Sequence, residues 1–367
     1  MLYLSGALYA LDVSLDSVLL RPTDFFRKFS INIETNSKVT AVDLDAKTVK
    51  TEGGATVSYS HLVLATGGRP RKLSCKGADS NSVLYLRSLS DAQKICQAVQ
   101  GKHLVIIGSS FIGMELASLV AKRCASVTCV DNRSTPFELV LGNQVGTSLQ
   151  KLYESNGVSF RLDTSVSELI VTDQKLTQIL LTNGDTLRAD VCVAGIGVLP
   201  ATDLVGSSIE LTERGFVKVD SELRTSNEYV YACGDIACFP LACFGLQETN
   251  VQHWQMAMKH GRTAALSIIG RPQSLDSVPF FWSVMFGKSL RYTGYGVDYD
   301  DVIINGSLED LKFAAYYLKG GCLRAVATLM CDPVAAQIAE VFRSRRAVTT
   351  TDIKKNQEND WKSWLHA

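Results

Sequence analysis

The sequence lacks an excess of either charge: 37 Lys and Arg stand against 37 Asp and Glu in 367 residues. That balance removes the electrostatic case for nucleic acid or an anionic membrane as the main partner. No apolar run is long enough to span a bilayer. The opening stretch MLYLSGALYALDVSLDSVLL is mildly apolar, but no Lys or Arg precedes its apolar run. A secretory signal needs such a basic region, so none is predicted and an intracellular protein, cytoplasmic or mitochondrial, is expected. Repeats and low-complexity segments are absent. Ten cysteines occur, yet none form a C-x2-C pair, and no cysteine–histidine pattern for a metal or cluster is found. They are also too sparse for a disulfide framework. Cys233, Cys238 and Cys243 are evenly spaced, and the first gap matches a redox disulfide, but reduced, buried thiols are the expectation. The length suits two or three domains, each able to bury a core.

What the chain does have is one stretch with a strong pattern, LVIIGSSFIGMELASLVAKRCASVTCVD at 104–131. Leu104 to Ile107 is a short apolar run of the kind that forms a buried parallel strand. Gly108, Ser110 and Gly113 occupy the three positions of a dinucleotide fingerprint. Phe111, Met114, Ala117 and Val120 then recur at helical spacing, predicting a helix to about Arg123. A second strand, Val127 to Val130, ends at Asp131, 18 residues beyond Gly113. A carboxylate near that distance can accept from a ribose 2′-hydroxyl. Gly108 permits the tight turn, Gly113 lets helix and strand approach, and the helix N-terminus carries partial positive charge for a pyrophosphate. Ser110 departs from the glycine pattern; its Cβ crowds the phosphate while its hydroxyl can donate to it. Asp131 favours NADH over NADPH, because a carboxylate repels a 2′-phosphate. Arg133 reads as a solvated loop charge.

Around this unit the pattern predicts short strands at Ile31–Thr35, Lys38–Asp43, Thr48–Thr51 and His61–Ala65. An amphipathic helix is predicted over 88–100, capped by Ser88 or Ser90, and another over 145–155. Residues 158–193 read as strands, with an Asn183-Gly184 hairpin turn and a buried strand at Val191–Ala194. A strand at Tyr229–Ala232 and a helix from about Gln252 to Ile269 follow. Gly270-Arg271-Pro272 reads as a domain boundary. Beyond it, 279–331 alternates strands with turns at Gly294, Gly306 and Gly320-Gly321, and a helix covers Val334–Ser344. The tail after Asp352 is polar and is expected to be loosely ordered, with Trp361 and Trp364 available to dock it.

Five local patterns fall in one order: ATGGRP at 65–70, LRSLSDA at 86–92, GSSFIGME at 108–115, GIGVLP at 195–200 and YACGDIA at 231–237. Each is a strand end or turn that can bring backbone to a dinucleotide. The order resembles the FAD-dependent pyridine-nucleotide oxidoreductases. HWQMAMKHGRTAA at 253–265 and PFFWSVMFGKSLRYTGYG at 279–296 resemble the apoptosis-inducing-factor-like, Rieske-type subgroup related to ferredoxin reductases. The resemblance implies an α/β fold with two Rossmann-like dinucleotide-binding domains, the FAD one incomplete, and a C-terminal α+β domain. The implied segments are 1–98 and 226–275 for FAD, 99–225 for NAD(H) and 276–367 for the C-terminal, interface-forming domain.

The resemblance also assigns residues. Ala65, Thr66 and Gly67 match the turn beside the flavin, and Arg87 a cofactor-proximal arginine. Gly234 and Asp235 match the second flavin motif, whose carboxylate accepts from the ribityl chain. Phe111 and Ile112 open the fingerprint helix, and Phe111 matches an aromatic at the nicotinamide–flavin stack. Glu115 matches a carboxylate on the nicotinamide amide. Gly195 and Gly197 match a loop over NAD, and His253, Trp254 and Trp282 match positions around the isoalloxazine. On their own, Phe111 and the two tryptophans read equally as core residues, Glu115 as a favourable charge near a helix N-terminus, and Asp235 as a helix cap.

Against the family, this chain shows no first GxGxxG unit for the ADP half of FAD, no lysine in the LSGAL segment at 4–8, and no Rieske domain. The flavin half is therefore expected to be incomplete, since pyrophosphate contacts at a helix N-terminus carry much of the affinity. The leading expectation is an FAD-dependent NAD(P)H oxidoreductase that takes hydride from NADH and passes electrons to an iron–sulfur protein or similar acceptor, with a homodimer plausible. No catalytic side-chain acid or base is called for, and no metal. The alternative is a non-catalytic NAD(H)-binding or regulatory remnant without stable FAD. A disulfide reductase would need an early cysteine pair, and Cys75 is the only early cysteine.

Overall fold

The computed structural model describes residues 19–365. The LSGAL segment and the rest of the first 18 residues lie outside them. The chain forms two compact units, one of residues 70–197 and 278–365, the other of residues 19–69 and 198–277. Residues 278–365 share a unit with the parallel sheet built from residues 70–197. Among the described residues no helix is long and apolar enough to cross a membrane.

The first unit is built on a five-stranded parallel sheet, with strands in the order Val83–Leu84, Val191–Ala194, His103–Ile107, Ser126–Val130 and Val158–Arg161. Residues 104–107 and 191–194 are buried without alternation, as strands covered on both faces must be. The helix Leu89–Ala98 is opened by a capping box between Ser88 and Asp91. The fingerprint helix runs Phe111–Val120 and tightens to a single 3-10 turn at Ala121–Arg123, short of the expected full helix. The helix expected at 145–155 starts earlier, at Glu138, because a kink at Gly142 (φ 73°) joins two helical pieces to Ser155. A small antiparallel sheet, Val166–Thr172, Lys175–Leu181 and Thr186–Arg188, has the predicted turn at Gly184 (φ 91°).

Against the fingerprint helix packs a five-stranded antiparallel sheet, ordered Phe280–Met285, Lys288–Gly294, Cys322–Leu329, Lys312–Lys319 and Asp301–Ser307. Its inner residues Met285, Leu290, Phe313, Ala315 and Tyr317 join Leu116, Val120, Leu141, Leu149 and Tyr153 in one core. Each large apolar side chain so buried stabilises by roughly 1.5–3 kcal/mol. Polar groups stitch the layers: Tyr153 donates to the Met114 carbonyl at 2.9 Å, Tyr317 to the Leu141 carbonyl at 2.9 Å, and Ser148 to the Leu308 carbonyl at 2.6 Å. The turn expected at Gly306 lies instead within the strand Asp301–Ser307, and residues 308–311 make the reversal. The helix Val334–Arg343 covers this sheet.

In the second unit, Leu62–Leu64 pairs in parallel with Val230–Ala232. Val39–Asp43, Thr48–Thr51 and Thr56–Ser58 form a meander, and the helix Trp254–Ile268 follows His253. The strand expected at Ile31–Thr35 does not form. Ser30 (φ 53°) and Asn36 (φ 54°) turn the chain at its two ends, and Ile31 and Ile33 remain exposed.

Candidate nucleotide and flavin sites

The fingerprint turn is held by contacts that leave no room for side chains. A Cβ on Gly113 would lie 2.0 Å from the Gly108 carbonyl oxygen, so strand and helix meet at backbone distance. Gly108 has φ 99°, and a Cβ there would lie 2.6 Å from the carbonyl oxygen of Gly195. That loop is tied back by the Gly195 amide donating to the Ile107 carbonyl at 2.8 Å, and Gly197 has φ 100°. Gly108, Gly113, Gly195 and Gly197 are thus gathered at the carboxyl ends of adjacent parallel strands, where open α/β sheets bind ligands. Ser110 is exposed and occupies the N-cap position of the helix that begins at Phe111.

Beside them lies a pocket of about 480 Å³ lined by, among others, Ser109, Asp131, Arg133, Glu138 and Thr164. Asp131 follows the second strand. Its Oδ2 accepts from the Ser109 amide at 2.6 Å and the Ser109 hydroxyl at 2.8 Å, and its Oδ1 from the Arg133 amide at 3.1 Å. Ser109 lies inside the fingerprint, yet nothing in the sequence pattern assigned it this role. Glu138 was also missed; an acid in the first turn of a helix after Pro136 was the available signal.

Deeper along the fingerprint helix, Glu115 is buried, and its Oε1 accepts from the Ser283 hydroxyl at 2.6 Å. Phe111 packs edge-on to Phe281 (centroids 4.9 Å apart) and Phe137 (5.0 Å), and Phe281 stacks on Tyr292. Phe111 and Ile112 are half-buried against the core. Trp282 sits on the strand Phe280–Met285 with its side chain about half exposed. The Arg87 amide donates to Asp91 at 3.1 Å, which sets Arg87 just ahead of the helix Leu89–Ala98.

The other expected residues belong to the second unit. Ala65, Thr66 and Gly67 follow the strand Leu62–Leu64; the Thr66 hydroxyl donates to the Ala201 carbonyl at 2.6 Å, and Gly67 has φ 65°. Gly234 (φ 73°) and Asp235 form a 3-10 turn directly after Val230–Ala232 and Cys233. Both turns therefore leave the same, carboxyl-terminal edge of two parallel strands. The Gly234 amide donates to Nδ1 of His260 at 3.1 Å. That fixes the neutral His260 tautomer with its proton on Nε2, and burial pushes its pKa down to about 4. Asn250 donates to the Asp235 and Ala237 carbonyls at 2.9 and 2.8 Å, holding the turn. His253 is the N-cap residue of the helix that begins at Trp254; its Nδ1 lies 3.2 Å from Gln255, and burial lowers its pKa. Cys233 and Cys238 are buried thiols; burial raises both, Cys233 to about 12.

Comparison with known proteins settles the family. The pyridine nucleotide-disulphide oxidoreductase pattern matches residues 11–261, and the reductase C-terminal pattern matches 280–362. The chain belongs to the pyridine nucleotide-disulphide oxidoreductase family. It is similar to human apoptosis-inducing factor 3, 41% identical over 346 residues, which are 94% of this chain and 57% of that protein. It is also 32% identical to a putidaredoxin reductase of Pseudomonas putida, over 89% of this chain and 78% of that one. Among solved structures, a ferredoxin reductase of Rhodopseudomonas palustris superposes with a TM-score of 0.92 at 27% identity, covering 99% of this chain and 89% of that one. A covalent putidaredoxin reductase–putidaredoxin complex gives 0.92 at 28% identity, covering 100% and 89%. This member of the family thus spans less than two thirds of the length of its apoptosis-inducing factor 3 relatives, 57%.

Proposed function

We propose that this chain is an FAD-dependent NAD(P)H oxidoreductase that takes NADH as its nucleotide and delivers electrons to an iron–sulfur protein. The observation that carries the reading is the backbone-close turn at Gly108 and Gly113, with Asp131 anchored beside it. The amides at the start of the helix Phe111–Val120 suit a pyrophosphate. Asp131 keeps an oxygen that can accept from a ribose hydroxyl, Gly195 and Gly197 keep the loop over the nucleotide free of side chains, and Glu115 would take the carboxamide. The relatives named ferredoxin, putidaredoxin and rubredoxin reductase support the acceptor.

The residues present fit the flavin end of FAD. Two turns, Ala65–Thr66–Gly67 and Gly234–Asp235, leave one edge of parallel strands, and the His260 imidazole fixes the second of them. Asp235, Thr66, His253 and Trp254, all of the second unit, would line that cofactor. Bound FAD supplies the acceptor for hydride and releases electrons singly, so the protein contributes orientation and electrostatics. The second reading is a non-catalytic NAD(H)-binding protein, which would hold the nucleotide at the turn within residues 104–131 without flavin.

A visible absorption spectrum of the purified chain, before and after NADH under anaerobic conditions, separates the two. Flavin bands that bleach on adding NADH are the expected result. Colourless protein that takes up no FAD on incubation, yet binds NADH, would establish the second reading instead.

The Ser283–Glu115 hydrogen bond yields a further expected result. Ser283→Ala removes a donor from a buried carboxylate and should weaken NADH binding about tenfold, while leaving ADP-ribose, which lacks the carboxamide, unaffected. Equal losses for both ligands in fluorescence titrations would remove Glu115 from the nicotinamide end.

A further inference from the structure

We propose that Glu138 sets the nucleotide choice of this chain, selecting an adenosine ribose with a free 2′-hydroxyl over one bearing a 2′-phosphate. The inference rests on the reading of the pocket beside Gly108 as the adenosine site, and it deepens that reading.

Among the described residues lining that pocket, Arg133 is the only cation. A guanidinium is the side chain best suited to grip a phosphate, so Arg133 alone would favour NADPH. Its environment works against that use. Glu138 accepts through Oε2 from the Ser134 amide and hydroxyl, both at 2.8 Å. This leaves Oε1 toward Arg133, 4.0 Å from Nη1. The Ser134 hydrogen bonds hold the Glu138 carboxyl below its usual range, so it remains ionised at neutral pH.

Two carboxylates and one guanidinium then line the pocket. Asp131 also closes the loop, with Ser109 on Oδ2 and the Arg133 amide on Oδ1, which retains one acceptor site. Glu138 neutralises the one group that could hold a 2′-phosphate and makes the pocket net negative, which repels a doubly charged phosphate. Glu138 also opens the helix Glu138–Ser155, where an acid is favourable for the helix itself. That role affects stability but not the ratio of two nucleotide affinities.

The test is fluorescence titration of the whole chain with NADH and with NADPH, for wild type, Glu138→Gln, Arg133→Ala and the double variant. Wild type should bind NADH more tightly. Glu138→Gln keeps the Ser134 contacts and should lower the NADPH-to-NADH Kd ratio about tenfold, and the double variant should lose that gain. Arg133→Ala alone should change the ratio by less than about twofold, because the Glu138 charge 4.0 Å away already offsets the guanidinium. An unchanged ratio in Glu138→Gln would overturn the proposal. So would a rise of about fivefold or more in the NADPH Kd of Arg133→Ala, which decides the matter even if Glu138→Gln does not fold. Failure of wild type to bind either nucleotide would remove the adenosine site and this inference together, whereas NADH binding with an unmoved ratio removes only the role of Glu138.

Discussion

Gly113→Ala is expected to weaken NADH binding by about a hundredfold or more, because a misplacement of about 1 Å in a binding geometry carries a cost of that size. The added Cβ would lie 2.0 Å from the Gly108 carbonyl oxygen and 3.1 Å from the Ile106 side chain. The nearer atom is backbone, so no rotamer change relieves the clash. The helix must move off the strand, taking with it the amides proposed to hold the pyrophosphate and the Gly195 loop stacked behind them. Overpacking of this kind also destabilises, by about 1–3 kcal/mol. Gly261→Ala is the matching control. It lies inside the helix Trp254–Ile268, a Cβ there meets nothing within 4 Å, and the change should stabilise by about 0.5–1 kcal/mol. NADH titration together with urea unfolding of both variants distinguishes steric loss from a general effect of alanine. Wild-type NADH affinity in Gly113→Ala would remove the fingerprint from the binding site.

Trp361→Ala should produce the largest loss of stability, about 3–5 kcal/mol. Trp361 is fully buried, and its Nε1 donates to the Tyr316 hydroxyl at 3.0 Å. Tyr316 in turn donates to Asn359 at 2.7 Å, and Trp364 packs edge-on against the Trp361 ring at 5.4 Å. The tail is therefore seated on the antiparallel sheet rather than loosely ordered, as its polar composition had suggested; its docking by the tryptophans agrees with expectation. Removing the indole leaves a large cavity and leaves the Tyr316 oxygen without its donor. Urea unfolding should show a lower midpoint, and limited proteolysis should release the segment beyond the helix Val334–Arg343. An unchanged midpoint would mean the tail contributes nothing to the fold.

Much of the nucleotide unit was legible because its interactions are local. Strand, turn, helix and second strand lie within residues 104–131, and each carries a short-range signal: an unbroken apolar run, a glycine where backbone must meet backbone, a helical period, a terminal acid. A cap at Ser88 or Ser90 and the Asn183-Gly184 turn were readable for the same reason, and the structure selects Ser88. Errors came where composition stood in for partners. Ile31–Thr35 has strand-like residues, but turns at Ser30 and Asn36 leave it unpaired among the described residues. Gly306 looked like a turn, yet it pairs with Phe313 inside a strand.

The sequence by itself determined the strand–turn–helix–strand of residues 104–131, because it rests on periodicity and backbone sterics within a few residues; the family was legible only as a resemblance, in the order of five motifs along the chain. Only the tertiary structure decided which groups hold the functional side chains. Ser283 reaches Glu115 across 168 residues, and Tyr317 reaches the Leu141 carbonyl across 176. Glu138 presents Oε1 to Arg133 while Ser134 donates twice to its Oε2. Such pairings leave no periodic trace in the chain: a hydrogen bond constrains where two atoms end up, not how far apart they lie along the backbone.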